Sequence, residues 1–217
     1  MHIAAIMDGN RRWAKKKAFP KFIGHKKGIE KLEQTLKWCL THHVNIFTIY
    51  ALSTENLKRD EKELNNLYDL ILEFASKTKD FLKQDIRVKL MGGISEIRED
   101  AAEALFELEG ATSNGQSLTF QICINYGGRD EIIRTCKKIQ DNNIEINEEN
   151  IQKHLDSPLE PDVIIRTGGH KRLSNFLMWQ SAYSEFIFLD KYWPDFSETD
   201  LVNAIEFVKN EQRNFGG

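Results

Sequence analysis

Short apolar runs alternate with longer stretches in which apolar residues recur every three or four positions. Ile3 to Met7 is unbroken and ends at Asp8, the length of a buried strand. Ile29, Leu32, Leu36, Cys39 and Leu40 then fall at helical spacing. Val44 to Leu52 is rich in β-branched and aromatic residues and reads as a second strand. Leu64, Leu67, Ile71, Leu72, Ala75 and Leu82 predict one long helix. Ile86 to Gly92 predicts a third strand, and Ile97, Ala101, Ala104, Leu105 and Leu108 a third helix. After the turn signal Ser113-Asn114-Gly115 comes a fourth strand, Leu118 to Asn125, with a helix through Ile132, Ile133, Cys136 and Ile139. Gln140 to Asn150 reads as loop. Asp162 to Arg166 and Phe186 to Leu189 predict a fifth and a sixth strand, and a helix from about Glu198 to Gln212 closes the pattern.

This alternation predicts an α/β fold: one domain over residues 1–217, with a central, mainly parallel, six-stranded sheet flanked by helices. In such sheets ligands sit beyond the carboxyl ends of the strands. The first strand ends at Asp8-Gly9-Asn10 and the second at Leu52-Ser53-Thr54-Glu55-Asn56. The fourth ends at Asn125-Tyr126-Gly127-Gly128-Arg129 and the fifth at Arg166-Thr167-Gly168-Gly169. All four polar segments therefore gather on one rim.

Two of them have the chemistry of phosphate sites. In Asp8-Gly9-Asn10-Arg11-Arg12 the glycine lets backbone approach a ligand, N–H groups at a strand-to-helix turn face an anion, and Arg12 adds bidentate donors. Asp8 would repel a bare phosphate, which argues for Mg²⁺ between them. The plainer reading is an Asp helix cap with solvated arginines, and the segment alone weighs both equally. Arg166 to Gly169, with Lys171, Arg172, Leu173, Ser174 and Asn175, is a second such cluster, or else a glycine turn with surface bases. Neither a Walker lysine loop nor G-x-G-x-x-G occurs. Two anion sites without a nucleotide fingerprint point to two phosphorylated substrates. Ser53, Thr54, Glu55 and Asn56 also fit a helix cap, and His25 alone fits a capping or packing residue.

Composition narrows the class. A formal charge of -3 argues against capture of nucleic acid. Three cysteines without a C-x-x-C pair read as reduced thiols of a cytoplasmic protein. No apolar run reaches the roughly 20 residues of a membrane span, and the apolar start is too short for a secretory signal. Any membrane contact is expected to be peripheral, at the inner face of the cell membrane.

The ordered motifs M-D-G-N-R-R-W-A, G-H-K-K-G, Y-A-L-S-T-E-N, N-Y-G-G-R, I-R-T-G-G, R-L-S-N-F-L, W-Q-S-A-Y-S-E and W-P-D-F resemble the cis-prenyltransferase family, the bacterial undecaprenyl diphosphate synthases in particular, from Ile3 to Gly217. The resemblance implies sequential condensation of isopentenyl diphosphate onto farnesyl diphosphate with Mg²⁺, giving a long polyprenyl diphosphate (undecaprenyl diphosphate, the lipid-carrier precursor of the bacterial cell wall). It implies Asp8 and Asn56 as catalytic residues, with Asp8 and Glu185 as metal ligands. Gly9, Asn10, Arg11, Arg12, Trp13, Lys21, His25, Ser53, Glu55, Leu57 and Arg59 would hold the allylic diphosphate, the last four on a closing loop. Arg166, Arg172 and Ser174 would hold isopentenyl diphosphate. It further implies a homodimer, to which the aromatic stretch Trp179 to Phe196 is expected to contribute, and transient membrane contact for product release. An apolar tunnel walled by the long helix and the second and third strands, with small Ala51 near its mouth, would take the growing tail.

The chain departs from that pattern at four places. His170 replaces a common Glu, Lys21 an Arg, Leu57 a Trp and Asn214 an Arg. Lys21 keeps charge but loses the bidentate fork. Two other readings stand beside this one: a family member with another product length, and a non-catalytic prenyl-diphosphate-binding subunit.

Overall fold

Six strands form where the apolar runs lie: β1 (His2–Ile6), β2 (Ile46–Ser53), β3 (Ile86–Met91), β4 (Leu118–Tyr126), β5 (Val163–Arg166) and β6 (Glu185–Phe188). The computed structural model describes residues 1–58 and 60–210. The strands make one sheet in the order β3-β4-β2-β1-β5-β6. Every pairing is parallel, so the sheet is parallel throughout rather than mainly so. Parallel sheets are covered on both faces, and every residue of β1 is accordingly buried. Its alternate side chains enter two cores. Ile3 and Ala5 pack with Leu32, Leu36 and Phe47, whereas Ala4 and Ile6 pack with Cys123, Phe176 and Leu177.

Eight helices are described: α1 (Asn10–Lys16), α2 (Lys21–Thr41), α3 (Glu61–Ala75), α4 (Thr78–Lys83), α5 (Glu99–Ala111), α6 (Gly128–Asp141), α7 (Glu148–His154) and α8 (Glu198–Asn210). Two differ from the sequence pattern. The long helix through Leu82 is broken after Ala75, where Ser76 Oγ donates back to the Glu73 carbonyl at 2.7 Å. A serine that satisfies its own preceding turn competes with helix propagation. The break shifts the apolar face, so Phe81 is buried and Leu82 is exposed. The expected loop Gln140 to Asn150 holds the end of α6 and the start of α7, which has no apolar stripe to reveal it. Its signal is the cap: the Asn147 side chain accepts the Asn150 N–H at 2.9 Å, and Glu148 and Glu149 follow. The predicted end of the last helix at Gln212, and Asn214, lie outside the described residues.

Candidate active site

The rim forms as the strand ends require. Gly9 caps α1 with φ of 109°, a conformation costly to any other residue. A Cβ there would also stand 2.6 Å from the Tyr192 ring. No side chain caps α1, so Asp8 is not a helix cap. Its carboxylate lies between two guanidiniums instead. Oδ2 accepts from Arg166 Nη2 at 3.0 Å, and Oδ1 lies 3.1 Å from Arg12 Nη2. Backbone fixes the turn: the Asp8 carbonyl accepts from Thr167 Oγ1 at 2.7 Å and from Trp193 N at 3.1 Å.

Arg166, the last residue of β5, is only 5% exposed, and a buried cation needs partners on every side. Besides Asp8 it donates to Ser174 Oγ at 2.7 Å and to the Arg172 carbonyl. Arg12 donates to the Gly168 carbonyl at 2.8 Å and packs on Tyr192, 5.3 Å from its ring centre. A Cβ on Gly168, at φ of 89°, would lie 2.5 Å from that guanidinium. The two phosphate-type clusters are thus one construction joined through Asp8.

An open cleft of about 520 Å³ lies over this junction, lined by Asp8, Tyr50, Ser53, Asn56, Arg166 and Ser174, among others. Ser53 and Asn56 fasten the loop after β2: each side-chain oxygen accepts the other's backbone N–H at 3.3 Å. The capping reading of this segment is therefore correct as far as it goes, and the same residues face the cleft. Glu55 also lines it. Burial pushes its carboxyl up, but hydrogen bonds from its own backbone, Ser53, Asn175 and Thr54 outweigh that and hold it below the usual range. Leu57 packs against the main core. Arg59 lies outside the described residues.

Of the second cluster, Arg166 and Ser174 line the cleft, whereas Arg172 offers Arg166 its carbonyl and its side chain is exposed. Ser174, Asn175 and Leu177 all have positive φ, which turns this loop tightly toward the rim. Glu185 is not brought to the rim. It opens β6 level with Val163, which pairs with Ile3, so it lies at the opposite end of the sheet from Asp8. The expected Asp8–Glu185 metal pair does not form within one chain. Among the described residues no group of three or more acids, histidines and cysteines gathers to hold a metal. Mg²⁺ bound to a substrate diphosphate needs fewer protein ligands, one or two carboxylates being usual. Asp8, at 28% side-chain exposure, fits that role.

One residue escaped the sequence reading, and another, Asn175 of the second cluster, does more than its place in that cluster foretold. Glu63, in the first turn of α3, lies 3.5 Å from Arg11, 3.8 Å from Lys21 and 3.9 Å from His25. An acid in a helical first turn has an ordinary capping role, so nothing in the sequence marked it. Asn175 joins three rim segments. Its side chain donates to Glu55 at 3.2 Å and accepts from Arg129 N at 3.0 Å, while its carbonyl accepts from Gly128 N at 2.7 Å.

Behind Asp8, between the sheet and α2 and α3, is an apolar cavity of about 110 Å³. Its walls include Ile29 and Leu32 of α2, Ile71 and Phe74 of α3, and Ile49 and Ala51 of β2. β4 supplies Ile122 and Ile124, and β3 supplies nothing. The sequence reading placed β3 in this wall. β4 takes its place because it pairs with β2, which leaves β3 at the sheet edge.

The family described as "Putative undecaprenyl diphosphate synthase" matches residues 6–216. An isoprenyl transferase of Thermotoga maritima is 41% identical, the alignment spanning 100% of this chain and 96% of that protein. A Thermoplasma volcanium protein, named tritrans,polycis-undecaprenyl-diphosphate synthase (geranylgeranyl-diphosphate specific), is 42% identical over 99% of this chain and 88% of its own. The crystal structure of lavandulyl diphosphate synthase from Lavandula x intermedia, in complex with dimethylallyl diphosphate, superposes with a TM-score of 0.94 at 32% identity, covering 100% of this chain and 98% of that one. With the motifs in order, the parallel sheet and full-length relatives of this kind, the chain belongs to the undecaprenyl diphosphate synthase family of cis-prenyltransferases.

Proposed function

We propose that this prenyltransferase condenses isopentenyl diphosphate repeatedly onto farnesyl diphosphate, with Mg²⁺, to give undecaprenyl diphosphate. The observation that carries the reading is Asp8 held between Arg12 and Arg166, where two phosphate-type clusters meet above an apolar cavity. Gly9, Asn10, Arg11, Arg12, Lys21 and His25 take the allylic diphosphate, with Ser53, Glu55, Leu57 and Arg59 closing over it. Trp13, expected among them, is buried and gives its indole N–H to Asp195 at 2.8 Å, so it backs the turn rather than touching the diphosphate. The diphosphate competes with Glu63 for Arg11, Lys21 and His25. Arg166, Arg172 and Ser174 take isopentenyl diphosphate.

Holding both substrates on one rim removes most of the orientational cost of their encounter. The isopentenyl double bond attacks the allylic carbon, the carbon–oxygen bond to diphosphate breaks, and a proton leaves the new chain. Fixed guanidinium and N–H donors stabilise the departing anion. Asp8 would hold Mg²⁺, which would supply further neutralisation of that charge. The departing diphosphate takes that proton, and Asn56, whose amide lines the shared cleft, is assigned to orienting the groups in this step, a neutral amide being no base itself. Each methylene buried in the cavity contributes roughly 0.8 kcal/mol. At 110 Å³ the cavity is smaller than the roughly 150 Å³ that accepts benzene. A tail of several isoprene units therefore needs the cavity walls to move apart.

Purified protein given both diphosphates and Mg²⁺ is expected to yield undecaprenyl diphosphate on chromatography. A shorter or longer product favours the second reading, another chain length, which the differing names of the relatives keep open. No product at all favours a non-catalytic subunit.

Dimerisation belongs to the same proposal. Trp193 and Phe196, in the aromatic stretch, are core residues at 1% and 2% exposure. Tyr183 and Phe186, beside the open edge of β6, are 65% and 40% exposed. Aromatic residues of that kind are enriched at interfaces. Sedimentation is expected to give about twice the 25.2 kDa of one chain, and a monomer at micromolar concentration contradicts it.

Among the described residues no helix is long and apolar enough to cross a membrane. A water-insoluble product then leaves slowly without lipid, and release limits turnover. The first product is expected as a burst, and non-ionic detergent is expected to raise the steady rate while leaving the burst unchanged. Absence of both effects contradicts release as the slow step.

A further inference from the structure

Positive charge in this acidic chain is concentrated in one segment. Between Gly9 and Ile29 there are eight lysines and arginines and no acid, +8 against -3 for the whole, which leaves -11 elsewhere. The diphosphate reading accounts for Arg11, Arg12 and Lys21. It does not account for Lys15, Lys16 and Lys17, which close α1, nor for Lys26 and Lys27 on α2; all five are exposed. Lys26 lies 4.0 Å from Glu73 and Lys27 2.6 Å from Glu30, so part of their charge is answered within the protein. Lys15, Lys16 and Lys17 make no ion pair among the described residues. Lys17 rests over the Trp13 ring at 5.2 Å.

Two phenylalanines project among these lysines. Phe19, in the bend between α1 and α2, is 48% exposed, and Phe22, in the first turn of α2, is 50% exposed. Phe19 leans on the buried Trp13, 6.1 Å between ring centres, yet about half of each phenylalanine stays exposed. Phe22 lines a cleft of about 250 Å³ between α2 and α3. His25, Leu67 and Leu70 line both that cleft and the apolar cavity. Lys21, Asp60 and Glu63 line that cleft as well, so it belongs to the mouth that takes the allylic diphosphate, and Phe22 stands at its rim within the lysine-rich segment.

We propose that the α1–α2 bend docks the protein on an anionic lipid surface, with Lys15, Lys16 and Lys17 at the headgroups and Phe19 and Phe22 in the acyl boundary. The inference names the surface for the membrane contact proposed above and rests on that reading for its purpose only. Its physical basis is the local charge and the exposed aromatic residues, as for other interfacial segments. Each lysine near an anionic surface contributes enough that three together change affinity by roughly a hundredfold. An acidic protein or a nucleic acid also has negative charge to offer. A bilayer is favoured because it alone among these offers an apolar layer beneath its charges for the two half-exposed phenylalanines.

The test is cosedimentation of the whole chain, without either diphosphate, with phosphatidylcholine vesicles and with vesicles containing phosphatidylglycerol. The protein is expected to bind the anionic vesicles, to ignore the neutral ones and to dissociate as salt rises. K15Q/K16Q/K17Q is expected to weaken binding roughly a hundredfold. Phe22→Ser is expected to weaken it while leaving the salt dependence unchanged. Thermal melts of each variant exclude unfolding as the cause. Equal binding to both vesicle types, or wild-type binding by the triple lysine variant, overturns the proposal. So does capture of polyglutamate or single-stranded DNA with no vesicle binding, which assigns the segment to an acidic macromolecule. A protein that docks in this way yet makes no prenyl product contradicts the proposed reaction and leaves the docking surface standing.

Discussion

Asp8→Ala is expected to abolish turnover while the allylic diphosphate still binds, as tightly as before or more so. The two effects separate because Asp8 is the one acid set in an otherwise anion-binding turn, between Arg12 and Arg166. Its removal takes a negative charge from beside the substrate phosphates and frees both guanidiniums for them. It also removes the carboxylate that fits Mg²⁺, and Lewis-acid stabilisation of a leaving anion is worth several kcal/mol. Loss of that contribution corresponds to a hundredfold or larger fall in rate. The structure adds a complication. Arg166 is buried, and an unpaired buried cation destabilises the fold. Asp8→Asn, which keeps the shape and one acceptor, distinguishes chemistry from folding. Both variants should be inactive, with the Asn variant melting closer to the wild type. Near wild-type turnover of either in saturating Mg²⁺ contradicts the metal role.

The fold was legible where one period dominated. The five-residue apolar run at the start and the β-branched second run could be little else than buried strands, and their placement set the rim. Parts of the helical pattern were misread because spacing alone does not reveal a break. Ser76 ends α3 by a side-chain hydrogen bond that has no periodic signature. The polar interior was also hidden. Thr48 and Gln121 sit mid-strand with almost no exposure, and Thr48 Oγ1 donates to Gln121 Oε1 at 2.8 Å. Glu131 is fully buried, its carboxyl pushed up by that burial and bonded by Tyr126 and Gln180. Sequence spacing cannot pair residues 73 positions apart.

For the site, the segments that follow strands could be read, because a parallel sheet brings all its carboxyl ends together. Asp8, Ser53, Asn56, Arg166 and Ser174 line one cleft as a result. Residues on helices packed above the rim could not. Glu63 reaches Arg11, Lys21 and His25 only because α3 crosses the start of α2. Glu185 was drawn in by motif order alone, and the strand register places it at the far end of β6.

Substituting Arg166 or Arg172 is expected to raise KM for isopentenyl diphosphate far more than KM for farnesyl diphosphate. A charge-assisted phosphate contact is worth roughly 1.5–3 kcal/mol, or about a tenfold to hundredfold change. The structure predicts that the two variants differ otherwise. Arg172 is exposed and engages its neighbours through its carbonyl, which Arg172→Ala retains. Its effect should be confined to substrate affinity, with the melting temperature unchanged. Arg166 links Asp8, Ser174 and the 172–174 loop from a buried position. Arg166→Ala should therefore lower kcat as well, through a displaced Asp8, and should lower the melting temperature. Arg166→Lys keeps the charge but not the planar fork that reaches three partners, and it should recover stability more than affinity. Steady-state kinetics with each substrate varied in turn, beside a thermal melt, tests all three variants. Equal changes in both KM values would show that the two diphosphate sites are assigned to the wrong clusters.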